Sequence, residues 1–102
     1  MKQYKKVKTL LASPNRWTKG SFAVDSDGLS VASDSPRAVA FCLSGALNHV
    51  YGDTTIRDVK RKKLLKVIAK LYPQHKSNSP IHFNDQIANH TIIKKVLKEA
   101  DV

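Results

Sequence analysis

The feature that most constrains this chain is the run Ala38-Val39-Ala40-Phe41-Cys42-Leu43-Ser44-Gly45-Ala46-Leu47, which is apolar or small at every position. A segment without a polar face has nothing to offer water, so it must be buried. Ser35-Pro36 supplies an N-cap residue followed by a proline at the first helical position, and Gly52 supplies a stop. The expectation is therefore a buried central helix over residues 35–51, around which everything else packs. Gly45, between Ser44 and Ala46, would let another backbone approach that helix closely.

The flanking segments fall into place around it. Tyr4, Val7, Leu10 and Leu11 recur at helical spacing, which predicts a basic helix over 1–13 with its lysines facing water, ended by Pro14-Asn15. Asp27-Gly28 sits between two short alternating segments and predicts a hairpin over 20–33, because glycine accepts the positive φ of a tight turn. Pairing about that turn sets Val24 opposite Val31 and puts Phe22, Val24, Leu29 and Val31 on one inward face. A lone hairpin is marginal in water, so the face should pack on helices. Thr55 and Asp58 resemble a capping box before a helix over 55–72, with Ile56, Leu64, Val67, Ile68 and Leu71 as its stripe and Pro73 as its stop. Residues 74–80 read as a polar loop. Ile81-His82-Phe83-Asn84-Asp85 reads as an extended or turn segment with Ile81 and Phe83 inward. A last helix follows over 89–100, capped by Asn89, with Ile92, Ile93, Val96 and Leu97 buried. The fold class is α+β: a helix-dominated small domain, one β-hairpin packed on a buried central helix. At 102 residues there is room for one domain.

Composition narrows the function classes. One cysteine, Cys42, excludes an internal disulfide, and no window approaches the ~20 apolar residues of a membrane span. The apolar stretch after the basic start is too short for a signal peptide, so a cytoplasmic location is the expectation. Eighteen Lys and Arg against eight Asp and Glu give a formal charge of +10. Such a field favours nucleic acid or an acidic protein surface as partner, although charge also keeps small proteins soluble. Lys2, Lys5, Lys6 and Lys8 form one cluster. Arg57, Lys60, Arg61, Lys62, Lys63, Lys66 and Lys70 form a second, with Asp58 the only acid on that stretch. Lysine outnumbers arginine there, which suits backbone phosphates better than base reading. The competing reading is a solvated helix face.

Candidate chemistry is sparse. Cys42 could act as a nucleophile if a histidine activated it, but a mid-helix position among apolar neighbours suits a small hydrophobe better. His49 stands seven residues on, about 10 Å along a helix, too far to serve directly. Asn84 and Asp85, with Trp17, Arg37 and His82, could furnish a ligand site; alternatively the Asn and Asp side chains shape the local turn. Trp17 fits a core anchor or, if exposed beside Lys19, a stacking platform. His75, His82 and His90 match no zinc spacing, and no phosphate loop or cofactor motif is present, so no cofactor or metal is expected.

Trp17-Thr18-Lys19-Gly20, Ser35-Pro36-Arg37-Ala38-Val39, Phe41-Cys42-Leu43-Ser44-Gly45-Ala46-Leu47 and Phe83-Asn84-Asp85, with a final helix around Val96, together resemble a family of short bacterial and phage proteins catalogued as a domain of unknown function. The resemblance spans roughly residues 17–100. It departs at Asp85-Gln86-Ile87-Ala88, where the family has a Pro/Gly turn, and in the basic N-terminal helix. It implies a shared fold and no activity. A phage accessory factor contacting a host nucleoprotein or defence component is one role the resemblance suggests. Two readings of function therefore stand beside each other. One is a non-enzymatic basic binding protein. The other is a small-molecule or catalytic domain using Arg37, Cys42, His82, Asn84 and Asp85. A third, a subunit of a homo-oligomer, would require a sizeable exposed apolar patch.

Overall fold

A computed structural model describes residues 4–75, with only the backbone of His75, and residues 80–102. Lys2 and part of the expected 74–80 loop lie outside the described residues. The elements run α1 (Val7–Leu10), β1 (Ala23–Val24), β2 (Ser30–Val31), β3 (Ala40–Phe41), α2 (Leu43–Val50), α3 (Thr54–Leu71), α4 (Pro80–His82) and α5 (His90–Ala100). Short 3₁₀ turns occupy Pro14–Arg16 and Pro73–His75, and α4 runs into a π-helical turn over Phe83–Ile87. The result is a helix-dominated α+β fold. Its antiparallel sheet has the order β2-β1-β3, and Leu10, Leu11, Leu43, Leu47, Leu64, Ile68, Phe83, Ile93 and Leu97 fill the core between helices.

Most of the run is buried as expected, Val39 at 46% exposure being the exception, and its conformation differs from expectation. Helix α2 begins only at Leu43, and the expected helix over 35–51 is corrected in its first half. Ser35 forms a turn instead of a helix start: its Oγ accepts from Arg37 N and its carbonyl from Ala38 N. Ala40 and Phe41 then pair with β1, where Val39 N donates to Val24 O at 2.8 Å and Cys42 N to Phe22 O at 3.2 Å. An all-apolar run has no period, so strand and helix cannot be separated within it. What decides here is that β1 has a second edge needing a partner. Gly45 does bring two backbones together. A Cβ built on it would stand 1.8 Å from the Phe22 carbonyl oxygen.

The hairpin forms one residue out of the expected register. Asp25 Oδ1 accepts from both Asp27 N and Leu29 N at 2.9 Å, and Gly28 takes a positive φ of 81°. This clamp lengthens the loop, so Ala23 opposes Val31 and Val24 opposes Ser30. A slip of one residue exchanges the two faces of a strand. Ala23 is accordingly buried, while Phe22 and Leu29 are 49% and 64% exposed.

Helix α3 starts from Asp53, whose Oδ1 accepts from Thr55 N and Ile56 N; the expected Thr55/Asp58 box does not form. Leu64 and Ile68 are buried as expected, but Ile56 is exposed. Helix α1 shrinks to one turn, with Val7, Leu10 and Leu11 buried. Arg16 closes it by donating to the Leu10 and Thr9 carbonyls. The expected extended segment at Ile81–Asp85 is helical, so Phe83 is buried and Ile81 exposed. Helix α5 forms from the expected cap, with Asn89 Oδ1 accepting from Ile92 N; Ile93, Val96 and Leu97 are buried as expected, and Ile92 only partly.

Candidate functional site

Two regions gather the singled-out residues. The first is a polar knot built on the π-helical turn. Asn84 is fully buried. Its Oδ1 accepts from Trp17 Nε1 at 2.6 Å and from Leu43 N at 3.1 Å, and its Nδ2 donates to Thr18 O at 3.0 Å and Asp85 Oδ1 at 2.9 Å. Asp85 Oδ1 also accepts from Gly20 N. Two side chains thereby fasten the Trp17–Gly20 segment and the first N–H of α2 to the C-terminal third of the chain. These partners lie 41 to 67 residues away, so the bonds are not the local turn contacts expected as the alternative. Asn84 spends all four of its hydrogen-bonding positions on protein atoms, leaving none for a ligand.

Cys42 stands beside this knot as the N-cap of α2, not in mid-helix as expected; its Sγ accepts from Gly45 N at 3.3 Å. Burial pushes the thiol's pKa above its ordinary value. The Asp85 carboxylate adds to this, outweighing the backbone N–H groups of Gly45 and Ser44 that favour the thiolate. A neutral buried thiol is a poor nucleophile. Cys42 and Asp85 do line one open groove of about 280 Å³ with Gly20, Ser21, Phe22, Ser30 and Ile81. Arg37 and His82 are exposed and do not line it. Of the residues expected to share a pocket, Trp17, Cys42, Asn84 and Asp85 are brought together and the two cationic ones are not. Trp17 is half-buried with Lys19 Nζ 5.5 Å from its ring centre, so it is an anchor with a cation over it rather than a bare platform. Among the described residues, no three His, Cys, Asp or Glu side chains are placed to hold a metal ion.

The second region is cationic. On α3, Lys62, Lys63, Lys66 and Lys70 are exposed. They recur at spacings that place them on the face opposite Leu64 and Ile68. Lys70 pairs with Glu99 of α5 at 3.2 Å and Arg61 with Asp58 at 3.2 Å, while Arg57 donates to Thr54 Oγ1 and Lys60 lies over the Tyr51 ring. Lys62, Lys63 and Lys66 have no acidic partner among the described residues. In the N-terminal cluster Lys5 is exposed, and Lys6 and Lys8 both converge on Asp101 Oδ1, Lys6 at 2.9 Å. That double donation holds the Asp101 carboxyl well below the usual carboxylate range.

The same region holds residues that the sequence reading did not single out. Lys94, Lys95 and Lys98 of α5 face Lys8 across an open groove of about 270 Å³ with Ala12 on its lining. The signal was present in the sequence, as lysines at i, i+1 and i+4 on the polar side of α5. That α1 would supply an opposite wall was not.

Against known proteins, the match is to the family of unknown function DUF6197, and it runs over residues 2–101, nearly the whole chain. The chain belongs to that family. Membership in DUF6197 agrees with the resemblance to a domain of unknown function and carries no activity with it. No curated protein and no solved structure matches. Among the described residues of this DUF6197 member, no helix is long and apolar enough to cross a membrane.

Proposed function

We propose that this DUF6197 protein is a non-enzymatic binding protein whose partner is nucleic acid, gripped through backbone phosphates. The observation that carries this reading is the outward face of α3, where Lys62, Lys63 and Lys66 stand exposed with no acid to neutralise them among the described residues. Ammonium groups left in this way repel one another and are relieved by an external polyanion, which releases its condensed counterions on binding. Helix α5 packs along α3, and its own lysines extend the positive surface beyond the Lys70–Glu99 pair. The side chains are lysines, point charges without the fork that reads guanine, so the contact is to phosphate and weakly dependent on sequence.

The test is fluorescence anisotropy with labelled single- and double-stranded DNA and RNA across a salt series. Micromolar or tighter binding near physiological salt, weakening log-linearly as salt rises, is the expected outcome. The triple variant Lys62→Gln/Lys63→Gln/Lys66→Gln should lower the salt slope on duplex by roughly 2 to 3, as expected for three lost phosphate contacts. Binding confined to very low salt, or a slope unchanged in the variant, overturns the reading.

A further inference from the structure

The α3 face is convex and can touch only one side of a partner, whereas the groove between α1 and α5 has two walls. Lys8 stands on one, Lys94, Lys95 and Lys98 stand on the other, and among the described residues no acid lines it. Helix α5 fixes the spacing on its wall: Lys94 and Lys98 are one turn apart, about 6 Å along the axis, with Lys95 beside them. Glu99 and its partner Lys70 lie on the α3 side of α5, so Lys94, Lys95 and Lys98 have no acidic partner among the described residues, while Lys8 opposite them is already paired with Asp101. The lining between the charges is mostly apolar, from Ala12 and the lysine stems, and low-dielectric walls focus the field into the groove. At the groove's α1 wall the fold already shows what these ammoniums do with an anionic oxygen, since Lys6 and Lys8 both donate to one oxygen of Asp101.

We propose that the groove between α1 and α5 seats the phosphodiester backbone of a single-stranded nucleic acid, with Lys94, Lys95 and Lys98 as its phosphate contacts and Lys8, held by Asp101, on the facing wall. This rests on the reading above and deepens it, by naming the strand state and the place where it is held. The groove is an open recess of about 270 Å³, and a single strand is flexible enough to lay its backbone into it. A duplex presents its phosphates on a wide convex surface and would reach one wall at a time. Among the described residues no aromatic side chain lines the groove, so bases are left pointing outward and the strand is held without regard to sequence.

The experiment uses the full chain with labelled oligothymidylate of about 20 nucleotides and a duplex of the same length, at about 0.15 M salt. The variant Lys94→Gln/Lys95→Gln/Lys98→Gln keeps helix propensity and touches only exposed positions, so the fold should persist, which circular dichroism checks. It should weaken single-strand binding tenfold or more and duplex binding threefold or less. Its single-strand salt slope should fall by about 2. A second variant, Ala12→Glu, leaves every lysine in place and puts a carboxylate in the groove; it should show the same selective loss. Equal losses on strand and duplex overturn the inference, as does an unchanged single-strand affinity in both variants while the Lys62/Lys63/Lys66 variant loses it. In those two cases the broader reading stands. A wild-type chain that binds neither probe overturns both.

Discussion

Asn84 ties the Trp17–Thr18 segment and the start of α2 to the π-helical turn through its buried side chain. Its amide joins Trp17, Thr18, Leu43 and Asp85, and burial makes each bond matter because the alternative for its partners is an unmade bond away from water. Removing it by Asn84→Ala leaves the Trp17 indole N–H and the Leu43 N–H without their acceptor. The expected cost is about 3 kcal/mol or more, from ~1–3 kcal/mol per stranded buried group. Urea denaturation measures it. Because the two residues share a bond, Trp17→Phe should cost clearly less in the Asn84→Ala background than in the wild type. Equal costs would mean that the knot is not a unit. Cys42 illustrates the converse at this scale. It holds the N-cap position that usually activates a thiol, yet burial and the neighbouring Asp85 keep it protonated.

At the scale of elements, the seam between β1 and α2 decides how the sheet sits on the helices. The Phe22 carbonyl accepts from Cys42 N while lying against Gly45, so the strand is pressed onto the first turn of α2. Any side chain at 45 would collide with main chain, which cannot rotate away. Gly45→Ala should therefore destabilise the protein by about 2–3 kcal/mol, although alanine is the better helix former by ~1 kcal/mol. A thermal melt that shifts upward would show that β1 does not press on α2. The same seam explains why the sequence reading placed the helix start eight residues early. Ser35-Pro36 is a sound helix opening by local rules, and the apolar run after it has no period to contradict that. The segment is extended because the backbone of β1 accepts it as a third strand. The one-residue slip of the hairpin has a similar cause, a clamp by Asp25 that local turn chemistry centred on Asp27-Gly28 did not reveal.

For the whole molecule, the excess of positive charge is only partly offset by internal pairing, and the pairing ties distant parts together. Asp101, in a left-handed conformation just past α5, receives Lys6 and Lys8 from the start of the chain. Beside it, Val7 N and the Tyr51 hydroxyl both donate to Val102 O, so three segments meet at one point. The Asp101 carboxyl has a lower pKa in the folded state than in the unfolded one, so the unfolded chain binds the proton more readily. Stability from this group is present in full above the unfolded value, near ~3.9, and is lost as pH falls through the folded one. The Asp101→Asn variant should therefore melt at a lower temperature than wild type at pH 7, and the gap should close as pH falls from about 5 to about 2. The group is exposed, so the effect should also shrink with added salt. A gap independent of pH would mean that the ion pairs are not its source.

What the sequence determined by itself was local and compositional. The α+β class, the burial of most of the Ala38–Leu47 run, the close approach at Gly45, the stop at Pro73, the Asn89 cap and the lysine face of α3 all follow from residues within a turn or two of one another. Tertiary structure alone decided the rest. The third strand, the partners of Asn84 and the lysine groove each require two segments far apart in the chain to meet. A hydrogen-bonding amide or an ammonium carries no mark of which distant backbone or helix will face it. That choice is made when the apolar surfaces are buried together and the polar groups among them must find partners.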